Sequence, residues 1–373
     1  MVSEANALYG EIMSENTETK NHLHSNWRRM PLLHIDLSYN HFSSVPLETL
    51  GRLTSLQTLN LSFNCLQNIS WDIRPDDVSG PRRQLFFSSL KYLSLQGNGL
   101  AHVAPRFLAA LSRVETLNLQ DNAVRPCACA DPSAQGADLT CVAIGRLRTL
   151  KHLNLKNNGI RTLPPDTFLE SSLLSLDLSA NAPLAVPRGA LRGARRTLRS
   201  LVLSGGNMSG SELWLPCMPA LARLDVSNNR LQELPGSLSC SPLAEIDVRN
   251  NQLLAVNRSL LLALAPRLRL MHISGNGFNC CDSSWLRAAL ELHVELPDVN
   301  DTVCFTSEAD MAMAEYLREP SGKCLLHTHA QDVPVGTKVI TVLFVAVMST
   351  ALLGLCRKVC RTQSAAATWV ALS

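Results

Sequence analysis

The chain has 373 residues, 46% of them hydrophobic but only 5% aromatic, with 12 cysteines and a formal net charge of +3. That length supports a substantial core, built mainly from leucine. The small net charge, with no basic run outside the last residues, gives no argument for a nucleic acid or an anionic membrane as partner.

Residues 1–30, MVSEANALYGEIMSENTETKNHLHSNWRRM, are polar and lack the apolar stretch of a signal peptide. Signals further along the chain demand translocation, so this atypical start is expected to replace the beginning of a longer protein.

From residue 31 to 278 the pattern L-x-x-L-x-L-x-x-N recurs ten times, from LLHIDLSYN at Leu32 and LQTLNLSFN at Leu56 to LRLMHISGN at Leu268. Ordinary spacings are 22 to 25 residues, which is the period of a leucine-rich repeat. The predicted fold is therefore an α/β leucine-rich repeat solenoid, a parallel-strand horseshoe. In each copy x-L-x-L-x forms a short strand whose leucines point into the coil, and the asparagine satisfies backbone groups at the turn. Pro and Phe after the strand, as at Leu163, Pro164 and Phe168, predict loose convex segments. Two over-long spacings mark exposed excursions at Trp71 to Gln84 and Arg125 to Cys141.

Residues 279–325 begin NCCDSSWLRAAL and carry Cys304 and Cys324. They resemble the cysteine-rich caps that close extracellular leucine-rich arrays, with Trp285 and Leu286 of a short helix covering the last coil. By analogy with such caps Cys280 pairs with Cys304 and Cys281 with Cys324, although sequence leaves the connectivity open. A stalk, 326–338, leads to an uncharged apolar segment at 339–356 that suffices for one transmembrane helix. Arg357, Lys358 and Arg361 follow it, so residues 357–373 are expected on the cytoplasmic side and the repeats outside, in a single-pass plasma-membrane topology. Cys356 and Cys360 are candidates for lipidation at that boundary.

The cysteine content favours an oxidising compartment. Sequons at Asn60, Asn68, Asn207, Asn257 and Asn300 agree with it. Cys217 and Cys240 are one repeat period apart, hence at nearly the same lateral position on adjacent coils, about 5 Å from each other. Cys141 can close the second excursion with Cys127 or Cys129. That leaves Cys65, in LNLSFNCL, beside one of the latter pair. Their coils are two steps, roughly 10 Å, apart, which disfavours a bond between them. Cys65 follows Asn64 and precedes the inward Leu66, so its thiol is expected near the surface. A disulfide to another chain and a half-buried free cysteine both fit.

Protease, phosphate-loop and nucleophile-elbow motifs do not occur, so no enzyme, cofactor or metal is expected. His327 and His329 fit a solvated stalk, and Cys127, Cys129 and Cys141 fit a looped disulfide better than a metal site. Between the core leucines the strand positions Asp36, Asn60, Asn118, Asn154, Asp225 and Asp247, with Ser94 and Asp177, are polar and mildly acidic. Such a face suits a protein ligand better than a polyanion.

LNLSFNCL, LNLQDNAVRPC, LPCMPALARLDVSNNRL and the cap NCCDSSWLRAAL resemble the GARP (glycoprotein-A repetitions predominant) family of cell-surface presenters of latent transforming growth factor beta. The likeness covers roughly residues 32 to 361, the C-terminal half of that family. It implies a horseshoe that binds the growth-factor prodomain dimer and is disulfide-linked to it. Cys65 matches one of two linking cysteines, and integrins become partners through the complex. A cytoplasmic tail of 17 residues is too short for the signalling domain of a Toll-like receptor, the alternative reading alongside a generic adhesion protein.

Overall fold

The computed structural model describes residues 31–51, 53–70, 86–128, 141–306 and 309–318. Contacts divide the chain into two units, Met1–Leu325 and Leu326–Ser373. The second unit lies outside the described residues, as do the expected stalk, membrane helix and tail, the segment 1–30, and most of both excursions. Among the described residues no helix is long and apolar enough to cross a membrane.

Each repeat copy becomes one three-residue strand. The strands are β1 His34–Asp36, β2 Thr58–Asn60, β3 Tyr92–Ser94, β4 Thr116–Asn118 and β5 His152–Asn154. They continue as β6 Ser175–Asp177, β7 Ser200–Val202, β8 Arg223–Asp225, β9 Glu245–Asp247 and β10 Leu270–His272. These strands form one parallel sheet in chain order. The register never slips, so Ile35 faces Leu59, Leu59 faces Leu93 and Leu93 faces Leu117. Alternation along a strand sends that middle residue inward and its two neighbours to the concave surface.

In the second coil Leu56, Leu59, Leu61 and Leu66 are each no more than 1% exposed. Burying one such side chain contributes about 1.5–3 kcal/mol, but a single coil covers only one side of it. The neighbouring coils cover the other, which is why the array is stable only as a stack. Convex segments are short helices such as Pro105–Ala110 and Arg258–Leu264, joined by turns.

The repeat asparagines form a ladder that ties each coil to the one before it. Asn98 Nδ2 donates to Leu95 O in its own coil and Leu61 O in the preceding one, while its Oδ1 accepts the Leu66 N–H. Asn122, Asn158, Asn181, Asn229, Asn251 and Asn276 repeat this arrangement. These contacts saturate backbone groups that are buried between coils and would otherwise cost about 1–3 kcal/mol each.

The seventh copy has Gly206 where the ladder needs asparagine. The coil before it carries Pro183 at the position whose N–H the missing side chain would accept, two residues after Asn181. Proline has no N–H, so the two departures remove a donor and an acceptor together. Gly206 O instead accepts the Leu184 N–H at 2.9 Å. A Cβ at 206 would lie 3.2 Å from Asn229 Oδ1 and from Met208 Cε. Restoring the consensus with Gly206→Asn is therefore expected to lower the melting temperature; a rise would show that the missing rung is a defect after all.

Beyond β10 the sheet continues, among the described residues, only as a single bridge from Leu270 to Glu295. Val248 N–H, one coil earlier, bonds to His272 O, whereas the equivalent Ile273 N–H and the Ser274 N–H bond to the carboxylate of Asp298. Burial opposes ionisation of Asp298, but those N–H groups outweigh it and hold the carboxyl below its ordinary value of 3.8. A depressed carboxyl stabilises the fold above its unfolded pKa and loses that contribution as pH falls through the folded one. Asp298→Asn is expected to cost about 1–2 kcal/mol at neutral pH, with the gap to the parent closing below about pH 4. Urea titrations at both pH values check this, and a gap independent of pH would rule out the charge as its source.

Beyond it the helix Ser284–Glu291 buries Trp285, Leu286, Ala288 and Ala289, with the Trp285 ring 4.9 Å from that of Phe278. Strands Phe278–Asn279, Val303–Phe305 and Asp310–Ala312 complete this cap, and Cys280 is bonded to Cys304 inside it, Cα to Cα 5.1 Å. Cys281 is also disulfide-bonded; Cys324, its expected partner, lies outside the described residues.

Candidate functional site

The concave face carries less free acidity than its composition suggests. In seven strands the Asp or Asn after the inward residue accepts the N–H two residues on, as Asp36 does from Ser38, Asn60 from Ser62 and Asp225 from Ser227. Asn118, Asn154, Asp177 and Asp247 do the same. These side chains close the turn that leaves the sheet, a local backbone role that Asp and Asn fill in turns generally.

The residue just before each ladder asparagine adopts a left-handed backbone. Gly97, Gly205 and Gly275 occupy this position, as do Asn157, Asn228 and Asn250, and so do Tyr39 and Phe63 at φ 56° and 55°. Glycine and asparagine suit that conformation, whereas a bulky side chain there is strained by about 1 kcal/mol or more. Consecutive coils place Tyr39, Phe63 and Gly97 in one column. The Tyr39 and Phe63 rings stack at 4.7 Å, which is the coil spacing. Phe63 in turn lies across Gly97, where a Cβ would come within 2.5 Å of its Cδ1. Tyr39 is nevertheless 76% exposed and Phe63 37%. Two large rings held in a costly backbone conformation and left in solvent form the surface of this molecule that folding alone does not explain.

Cys65 sits two residues beyond Phe63, half-buried, with its N–H bonded to Phe42 O at 2.9 Å. Coil spacing disfavours, without excluding, a bond from Cys65 to a cysteine of the second excursion, beside a bond to a second chain and a free thiol. In the structure Cys65 is disulfide-bonded. Of the alternatives for Cys141, the bond goes to Cys127, with Cα atoms 5.1 Å apart, and Cys129 lies outside the described residues. Cys217 and Cys240 are bonded across adjacent coils at a Cα separation of 5.7 Å. Among the described residues no three His, Cys, Asp or Glu side chains could hold a metal ion.

Of the sequon asparagines, Asn68, Asn207, Asn257 and Asn300 are exposed. Asn257 also caps the helix Arg258–Leu264 by accepting the Ser259 and Leu260 N–H groups. Asn60 differs, being half-buried on the concave sheet, and Ser62 of its sequon is buried and bonded to the Ser94 hydroxyl.

Leucine Rich Repeat family models match residues 31–53, 149–170 and 52–69. The fold is a leucine-rich repeat solenoid. The chain is 34% identical over 310 residues to transforming growth factor beta activator LRRC32 of Pongo abelii, covering 78% of this chain and 46% of that protein. The Mus musculus LRRC32 is 35% identical over 299 residues, 76% of this chain and 44% of that protein. Transforming growth factor beta activator LRRC33 of Danio rerio is 29% identical over 299 residues, 76% of this chain and 43% of that protein. The chain thus spans less than half the length of these relatives, and its resemblance to the GARP family holds along most of the repeat array. The crystal structure of a TLR13–ssRNA13 complex superposes with a TM-score of 0.60 at 25% identity, over 76% of this chain and 39% of that one. This protein is not an enzyme.

Sequence reasoning missed the aromatic column. Its signal is visible once the ten copies are written in register, because position eight of the repeat then reads Tyr, Phe, Gly, Asp, Asn, Ala, Gly, Asn, Asn, Gly.

Proposed function

We propose that this protein binds latent transforming growth factor beta at a cell surface and regulates its activation, using the edge of the first coils around Tyr39, Phe63 and Cys65. The observation that carries the reading is similarity to growth-factor activators along three quarters of the chain. An exposed aromatic column beside the cysteine that matches a linking position supports it. Aromatic side chains supply large contact area at small entropic cost and dominate binding hot spots. The membrane anchor at 339–356 would hold the complex at the surface, where integrins act on it.

A covalent link through Cys65 requires exchange, since this sulfur is already bonded. A prodomain cysteine thiolate attacks Cys65 Sγ, the new disulfide forms, and the present partner of Cys65 leaves as a thiolate. No net oxidant is consumed. The test is co-expression with the latent growth-factor proprotein, followed by affinity purification and non-reducing electrophoresis. A reducible high-mass band that disappears in Cys65→Ser, with co-purification retained, is the expected result. Survival of the band assigns the link to another cysteine, and failure of the parent chain to co-purify the proprotein overturns the reading as a whole.

A further inference from the structure

The solenoid collects cations that are scattered in the sequence onto one edge. Where the chain enters the strands, Glu115, Lys151, Leu174 and Arg199 occupy successive rungs of one backbone ladder: Lys151 N–H bonds to Glu115 O, Leu174 N–H to Lys151 O, and Arg199 N–H to Leu174 O. Arg113, Arg148, Arg195 and Arg196 lie one to three residues ahead of the inward Val114, Leu150 and Leu198, so they share this edge and are exposed. Thr149 Oγ1 bonds to Ser112 O and Val114 O and so ties coil five to coil four at this edge.

Among the described residues six cations therefore face two carboxylates on the edge of coils four to seven. Both carboxylates are already engaged, Glu115 with Lys151 at 2.8 Å and Glu170 with Arg148 at 2.9 Å. Arg113, Arg195, Arg196 and Arg199 have no ion-pair partner among the described residues. The local excess of four positive charges exceeds the +3 of the entire chain. It runs along the stacking direction for about 14 Å, three coil steps. Between the cations stand Ser112, Thr149, Ser172 and Thr197 and, among the described residues, no aromatic side chain.

We propose that this edge binds a linear sulfated polysaccharide of the glycosaminoglycan class. Guanidinium forks match the geometry of sulfate oxygens, and a straight row of cations at regular steps matches a ligand with anionic groups repeated along its length. A single-stranded nucleic acid would call for stacking platforms, which this edge lacks. The disulfides Cys127–Cys141, Cys217–Cys240 and Cys280–Cys304 mark an oxidising compartment, where sulfated polysaccharide is the abundant polyanion. The aromatic column lies at the opposite, strand-exit end of the coils, so both ligands fit together, and this inference does not depend on the growth-factor reading.

The test is binding of the full chain to immobilised heparin across a salt series. Arg195→Glu/Arg196→Glu/Arg199→Glu is compared with an equally charged control, Arg230→Glu/Arg258→Glu/Arg287→Glu, and with the milder Arg195→Gln/Arg196→Gln/Arg199→Gln. The edge variant is expected to bind at least ~10-fold more weakly near physiological salt, with a shallower dependence of affinity on salt. The Gln variant should fall in between and the control should match the parent, with melting temperatures unchanged throughout. The proposal is overturned if the parent does not bind heparin or binds desulfated heparin equally well. Equal losses in the edge and control variants overturn it too, as does displacement by single-stranded RNA at lower concentration than by free heparin.

Discussion

Asn181→Ala is expected to lower the stability of the repeat unit by about 3–5 kcal/mol, as much as truncating a buried aromatic. Asn181 is fully buried. Its Nδ2 donates to Leu155 O, Leu178 O and Ser179 O, and its Oδ1 accepts the N–H groups of Asn158 and Ile160. Alanine would leave two buried donors and at least one acceptor between coils with nothing in reach, and water cannot enter without separating the stack. Urea unfolding should show a lower midpoint at unchanged slope. The neighbouring rung gives the internal comparison, since Gly206 has no such side chain and Pro183 presents no N–H to need one. A cost under about 1 kcal/mol for Asn181→Ala would mean that the backbone relaxes around the loss and that the ladder is not what joins the coils.

The second large effect concerns binding. Phe63→Asn replaces a strained aromatic by a residue at ease in the left-handed region. The backbone relief, about 1 kcal/mol, roughly offsets the lost ring contact with Tyr39, about 0.5–1.5 kcal/mol. Stability is thus expected to stay nearly constant while affinity for the latent growth-factor proprotein falls by about 30-fold, the signature of a central hot spot. Leu254→Ser, which removes a side chain 56% exposed near the other end of the array, serves as the control and should bind like the parent. Measured dissociation constants and melting curves for the three proteins decide it. Equal affinity in Phe63→Asn and the parent would show that the aromatic column is not the contact surface.

Most of the architecture can be read along the chain because a solenoid is local. Leu56, Leu59 and Leu61 are buried for the same reason in every copy, and the period that reveals them is also the period that stacks them. Bonds between neighbouring coils are likewise readable, as for Cys217 and Cys240. Legibility fails where a residue leaves the coil framework. Coil spacing did not identify the disulfide that engages Cys65.

Charge behaved in the same way. Arg113, Arg148 and Arg199 stand dozens of residues apart in a chain of nearly balanced charge, and nothing in a linear window sets them beside each other. The fixed register of the sheet does so, by returning the chain to the same edge once per coil.

The amino-acid pattern alone thus determines the repeat, its strands, its inward leucines and its asparagine ladder, all of which arise from side chains within one period. Tertiary structure decides which surface positions meet: the stacked Tyr39 and Phe63, the row of cations, the bonded state of Cys65, and the Asp298 carboxylate that ends the sheet. The physical reason is that parallel stacking turns a separation of one period along the chain into about 5 Å in space, and so makes columns from residues that the sequence lists far apart.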